Sequence, residues 1–327
     1  MSALAMFGKS NGAAWSPAIT RTRCLIAAGL FIVWLAAFAH PSLFHARIKD
    51  AHRMLPSFKP KGQQHLAVPH ARYNASKVAL IIEPEPLPIL VPLILHMIAV
   101  VPSDWRFVFI GSRNSVFSVG RSFGVQIQRS LGKIDLQVLP RPWIIKSAEH
   151  RSRLLTDRRF YDEFLPGVEW LLRFDRDSIL CANSETSLNE WLDWSFTGAA
   201  RPKDDKFAGY GGLSLRRVSA IQSILGFQKR YNNSEPEDEW YGKRFAVTPG
   251  AKVPKGGEGA LAVQDVLKDK PMGYYAPKAG RDLNKDVWKM PETRRKIFDY
   301  CPELAIVMDM KLENERCQGD NQEGEII

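Results

Sequence analysis

Asp175-Arg176-Asp177 closes the apolar run Trp170-Leu171-Leu172-Arg173-Phe174, and the chain turns apolar again at Ile179-Leu180. Two carboxylates one residue apart repel each other unless protons or a cation intervene. In an extended segment positions i and i+2 project to one face, so the spacing offers both acids to one ligand. A hard divalent cation such as Mn²⁺, taking carboxylate and phosphate oxygens together, resolves the repulsion. That makes Asp175 and Asp177 candidate metal ligands and candidate holders of a diphosphate. The competing reading is a solvated turn in which Arg176 neutralises its neighbours.

Two further stretches carry residue types suited to chemistry. In Ala208–Arg217, "AGYGGLSLRR", Gly211 and Gly212 give a backbone that a ligand can approach closely. The pair also suits a plain turn between elements, and the spacing fits neither phosphate-loop nor dinucleotide fingerprints. In Ser234–Trp240, "SEPEDEW", a proline followed by acids suits a helix N-terminus, where negative charge meets the helix dipole. The functional reading makes Glu237 or Asp238 a general base that takes the proton of an acceptor hydroxyl.

These residues need a scaffold, and the alternation around them supplies one. "KVALIIE" at Lys77–Glu83, "WRFVFIGS" at Trp105–Ser112, "IDLQVLP" at Ile134–Pro140 and "EWLLRFD" at 169–175 read as short buried strands. Between them lie helical stretches: one beginning near Pro88 with Pro92 no later than its first turn, one over about 113–131, and "RSRLLTDRRFYDEF" with its charges on an open face. "SLNEWLDW" reads as a short helix, "SFTGAA" as a strand and residues 246–262 as a Gly/Pro/Lys loop. Strands alternating with helices imply an α/β domain with a mostly parallel sheet. Ligands of such sheets sit beyond the carboxyl ends of the strands, where Asp175 and Asp177 lie.

The net charge of +10 does not make the chain a nucleic-acid binder. Residues 1–76 hold nine Lys/Arg against Asp50 alone, which leaves +2 for the remaining 251 residues. A nucleic-acid protein carries its basic stripe on the folded domain, and no such motif is present. Sixteen residues, Cys24–Ala39, hold no charge. They read as a signal anchor for a thin bilayer, with 1–23 as a cytoplasmic tail and 40–76 as a stem. Ala37-Phe38-Ala39 also suits cleavage of a secretory signal peptide, which would give a secreted protein. Basic residues on the two sides of the run do not decide its orientation. Asn74-Ala75-Ser76 and Asn232-Asn233-Ser234 are glycosylation sequons. Beyond Cys24, the remaining Cys181, Cys301 and Cys317 allow one disulfide, with Cys181–Cys301 the expected pair, or three reduced thiols. Residues 77–312 make up the expected domain and 313–327 a polar, disordered tail.

Taken in order, "VALIIEPEPLPILVPLILHMIAVVPSDWRFVFIGS", "LLRFDRDSILC" with "FTGAA", "GGLSLRR" with "PEDEWYGKRF", then "KPMGYY" and "FDYCPEL", resemble a fungal family of glycosyltransferase-like domains, the domain of unknown function 5672. The resemblance runs over about 77–310. It implies a GT-A-like fold, a Rossmann-type nucleotide-binding sandwich, in a single-pass type II protein of the Golgi or endoplasmic reticulum. It places Glu83 in the loop over the nucleotide, Asp175 and Asp177 at metal and diphosphate, Gly211-Gly212 beside donor sugar and acceptor, and Glu237-Asp238 toward the acceptor hydroxyl. Two departures stand out. The family pattern has Gln-Thr-Asp where this chain has Asp175-Arg176-Asp177, so Asp177 alone is shared. It also has Gly-His where this chain has Gly273-Tyr274, and all seven histidines precede the acid pair. A neutral tyrosine is a poor ligand for Mn²⁺, so Lys278 or Arg281 is an alternative counter-charge for a diphosphate.

The expected function is sugar transfer from a nucleotide-sugar to a hydroxyl of a glycan, protein or lipid. A catalytically silent glycan-binding or scaffold protein is the alternative. A two-metal nucleotidyl or phosphodiester transferase would need more ligands than the sequence offers.

Overall fold

The computed structural model describes residues 73–200, 209–254, 259–281 and 283–308. The expected anchor at 24–39, the stem up to residue 72 and the tail at 313–327 lie outside the described residues. Residues 67–327 form a compact unit of their own, which contains every described strand and helix.

Among the described residues nine strands make one sheet: β1 (Lys77–Ile82), β2 (Arg106–Gly111), β3 (Ile134–Val138), β4 (Trp170–Phe174), β5 (Ser178–Leu180), β6 (Phe196–Ala199), β7 (Tyr210–Arg217), β8 (Ala262–Val263) and β9 (Gly273–Tyr275). Their order across the sheet is β3-β2-β1-β4-β7-β6-β8-β9-β5. The first four are mutually parallel, β7 runs antiparallel to β4 and β6, and β5 runs antiparallel to β9. Five of the eight pairings are parallel, as the alternation of the sequence predicts. The far edge curls back, so that a Cβ on Gly273 of β9 would meet Leu213 of β7 at 2.7 Å.

Both faces of the sheet are covered. On one face Ala79, Ile81, Phe107, Phe109, Leu172, Phe174 and Leu215 pack under α1 (Leu90–Val100) and beside α2 (Arg113–Gly120) and α3 (Phe123–Ser130). On the other, Val78, Leu80, Ile82, Leu171 and Phe196 meet α4 (Ala148–Leu155), α5 (Arg158–Phe164), α6 (Val218–Phe227) and α7 (Glu237–Phe245). Strand residues alternate between the two cores, as the pleat requires. Two C-terminal helices follow, α8 (Lys285–Trp288) and α9 (Pro291–Tyr300).

Two helices expected as single pieces are each broken. The stretch 113–131 divides at Arg121-Ser122, where Ser122 is extended (φ −69°, ψ 128°). The stretch 151–164 divides because Asp157 leaves the helix to accept from the Arg159 N–H at 2.9 Å, capping α5. Helix α1 starts at Leu90 with Pro92 as its third residue, where a missing N–H costs no bond. Cys181 and Cys301 form a disulfide, as expected, with Cα atoms 5.1 Å apart.

Candidate active site

From β1 the chain passes to β2 and β3 on one side, then crosses back through α4 and α5 to β4 on the other. Adjacent parallel strands whose connections leave in opposite directions open a crevice beyond their carboxyl ends. Glu83 immediately follows β1 there, and Asp175 immediately follows β4. The loop after β1 is fixed: Ser112 Oγ donates to Pro84 O at 2.6 Å and Ser115 Oγ to Glu85 O at 3.0 Å. Burial pushes the Glu83 carboxyl above its ordinary range, opposed by the Glu85 N–H at 3.0 Å and by Arg176. Arg176 hydrogen-bonds neither aspartate. Its Nη1 reaches across to Glu85 Oε2 at 3.1 Å and lies 3.7 Å from Glu83 Oε2.

The aspartates do not share one extended segment. Strand β4 ends at Phe174, and Arg176-Asp177 is a turn that leads into β5. This answers the odd apolar return at Ile179-Leu180: β5 is a separate strand that pairs with β9, not with β4. Asp175 is buried, and both its oxygens accept from Arg173 Nη2 at 2.9 Å. Arg151 Nη1 stands 3.7 Å from Asp175 Oδ2. Asp177 is half-buried, and its Oδ2 accepts from the Lys278 N–H at 2.8 Å. Burial, then the charge of Asp175, raises the Asp177 carboxyl. The amide reaches it from a left-handed turn, with φ of 54° at Lys278, 58° at Ala279 and 89° at Gly280. Lysine and alanine held in that region cost about 1 kcal/mol or more each. The turn leaves the Lys278 and Arg281 side chains exposed.

Beside this lies a buried ionic cluster on the same face. Arg173 of β4 and Arg216 of β7 are diagonal cross-strand neighbours. Glu237, at the start of α7, joins them: it accepts from Arg173 Nη1, from Arg216 Nη1 at 2.9 Å and from Arg216 Nη2 at 3.0 Å. Burial raises the Glu237 carboxyl, but Arg216 and Arg173 together outweigh that and hold it below its ordinary range. Asp238 is half-buried; the Gly211 N–H donates to its Oδ2 at 2.8 Å and the Glu239 N–H to its Oδ1 at 2.9 Å. Of the two expected bases, Asp238 is therefore oriented at the rim and Glu237 is sealed beneath it.

The diglycine lies within β7 rather than in a turn. A Cβ on Gly211 would meet Arg216 Nη2 at 2.8 Å and Asp238 Cβ at 2.9 Å, and one on Gly212 would meet the Tyr275 ring at 2.4 Å. Both glycines are thus filled by protein. Tyr274 turns into the core, edge-on to Trp288 with ring centres 5.9 Å apart. Tyr275 takes the opposite face, and its hydroxyl is pushed up by burial and then by the charges of Asp175 and Asp177.

The donor set is poor for a chelated cation. Arg173 Nη2, equidistant from the two Asp175 oxygens, occupies the bisector that a bidentate ion takes. Among the described residues no group of three His, Cys, Asp or Glu side chains could hold a metal ion.

Residues 133–275 match the family described as protein of unknown function DUF5672. The DUF5672 match runs from the residue before β3 through β9. It is narrower than the resemblance read from the sequence: Asp175, Asp177, Gly211, Gly212, Glu237, Asp238 and Tyr275 fall within it, while β1, β2 and Glu83 precede it. No curated protein matches the chain. Within the DUF5672 segment, Arg151, Arg173, Arg216 and Tyr275 are site residues that motif reading passes over. Arginines inside the strand runs "WLLRF" and "LSLRR" were the available signal, since a buried guanidinium requires an acid.

Proposed function

We propose that this chain transfers a sugar from a nucleotide-sugar donor to a hydroxyl of a glycan, protein or lipid, on a GT-A-like version of the sandwich. The carrying observation is the meeting of Glu83, Asp175 and Asp177 at the β1/β4 switch point. Arg151 supports it: its half-buried guanidinium, with Nη1 3.7 Å from Asp175 Oδ2, can turn to a diphosphate oxygen. Arg151 and Lys278 supply the counter-charge to the diphosphate in this reading, and Glu83 and Asp177 accept from hydroxyls of the donor, since carboxylates without a cation repel the diphosphate itself. The residues do not fit chelated Mn²⁺. Asp238 takes the proton of the acceptor hydroxyl as that oxygen bonds to the sugar C1. The bond from C1 to the diphosphate breaks, and its electron pair leaves with the nucleoside diphosphate. A single displacement of this kind inverts C1. The disulfide suits an oxidising lumen, which agrees with residues 24–39 as a type II anchor of the Golgi or endoplasmic reticulum.

The test is a transfer and hydrolysis screen of UDP- and GDP-sugars, with and without Mn²⁺. Expected are turnover independent of Mn²⁺, a loss of at least about 100-fold in kcat/KM for Asp177→Ala, and donor binding without transfer for Asp238→Asn. Retention at C1 by product NMR would remove Asp238 from the role of base, and absence of donor binding under every condition would end the reading. One observation favours a silent glycan-binding protein instead: Asp175 and Glu237 are both committed to arginines. Calorimetric binding of glycans alone, with no nucleotide affinity, is its signature.

A further inference from the structure

Helices α2 and α3 meet at a corner that Gln126 Nε2 closes by donating to Gly120 O at 3.2 Å. Their inner sides are used: Ser115, Val119 and Val125 are buried, and Gly124 lies against the Leu95 side chain. Their outer sides carry Phe117, 71% exposed, Phe123, 77% exposed, and Ile127, 41% exposed. Large apolar side chains grouped this way on a surface mark an interaction site. Arg113, Phe117 and Arg121 follow one line at i, i+4 and i+8, and Arg129 is exposed on the last turn of α3. From Trp105 to Ile134 the chain holds five Lys/Arg and no acid. The partner must therefore bring negative charge and an apolar phase together.

We propose that the α2–α3 corner docks on an anionic lipid bilayer surface, with the phenylalanines and Ile127 in the headgroup boundary and the three arginines on lipid phosphates or carboxylates. Arginine beside aromatic and aliphatic residues is the composition of interfacial helices. The phenylalanine rings are mostly exposed, which suits a soft phase that needs no matching shape. The proposal uses no residue of the sugar-transfer reading and stands without it.

Flotation of the 67–327 unit with vesicles of phosphatidylcholine alone, and of phosphatidylcholine with phosphatidylserine, is the test. Circular dichroism establishes that each protein is folded. Binding is expected to anionic vesicles only, to weaken with salt, to vanish in the F117S/F123S double variant and to fall about fivefold for each of R113Q, R121Q and R129Q. If the unit does not fold alone, the full chain is reconstituted in the same vesicles with a photoreactive benzoylphenylalanine at position 123, which should crosslink lipid. No binding to anionic vesicles, binding indifferent to these changes, crosslinks to protein only, or a dimer that depends on Phe117 and Phe123 would each overturn the proposal.

Discussion

Glu237 shows how little residue type alone decides. Read from the sequence it is an acid at a helix N-terminus, as suited to catalysis as Asp238 beside it. In the fold its two oxygens bind two guanidinium groups whose side chains are 6% and 0% exposed. Removing one partner from such a cluster leaves an uncompensated buried charge, which costs about 3–5 kcal/mol. Glu237→Gln should therefore lower stability by several kcal/mol in urea unfolding, and Glu237→Gln with Arg216→Met should recover part of it. Asp238→Asn removes a charge at the rim and should leave the unfolding midpoint nearly unchanged. Equal losses from the two single variants would show that the cluster is no keystone. The positions of the acids were legible in the sequence. Their division of labour was not, because it depends on Arg173 and Arg216, 43 positions apart in sequence, becoming diagonal neighbours through strand pairing.

At the level of elements, α4 is tied to the loop that leads into α7. Glu149 in the first turn of α4 accepts from Arg230 at 2.6 and 3.2 Å and from the Asn233 N–H at 2.8 Å. The Arg230 hydrogen bond, then the Asn233 amide and Arg153, outweigh desolvation and lower the Glu149 carboxyl to about 2. The folded value is below the unfolded one, so this stabilisation is complete above about pH 4.5 and is lost as pH falls toward 2. Glu149→Gln should thus cost about 2 kcal/mol at pH 7, a fall of about 5 °C in Tm, and the gap from the parent should close between pH 4.5 and 2. A gap independent of pH would exclude the charge as its cause. Elements with a local cause were legible: β1, α1, β2, β4 and α7 fall where hydrophobic runs and proline place them. The breaks at Ser122 and Asp157 were not: Asp157 caps through its side chain, Ser122 turns extended with no side-chain cap, and periodicity registers neither. Tyr275 is not legible for a similar reason: which of two adjacent tyrosines faces the acids follows from the register Ser178↔Tyr275 and Ile179↔Tyr274.

In the 67–327 unit, the short strand β5 carries Asp177 at its entrance and closes the curled end of the sheet. Three residues of pairing to β9 hold it on one side. On the other, Cys181 is bonded to Cys301 at the end of α9, Asn183 Nδ2 donates to Tyr300 O at 2.7 Å, and the Ala182 N–H donates to Glu303. The disulfide spans 120 positions, and a crosslink of that span restricts the unfolded chain by about 4–5 kcal/mol in the loop-entropy description. Cys181→Ser with Cys301→Ser should therefore lower the unfolding free energy measured in urea by about that amount, and reduction of the parent should do the same. The site adds a second expectation. Asp177 is positioned by Ala276 and Lys278, which follow β9, so a loosened β5–β9 pair moves the acid away from its amide. Under the proposed reading, nucleotide-sugar affinity should fall in the double serine variant well below its unfolding midpoint. An affinity that follows only the fraction folded would show that the β5–β9 ladder and the left-handed turn hold Asp177 by themselves, and that the crosslink serves stability alone.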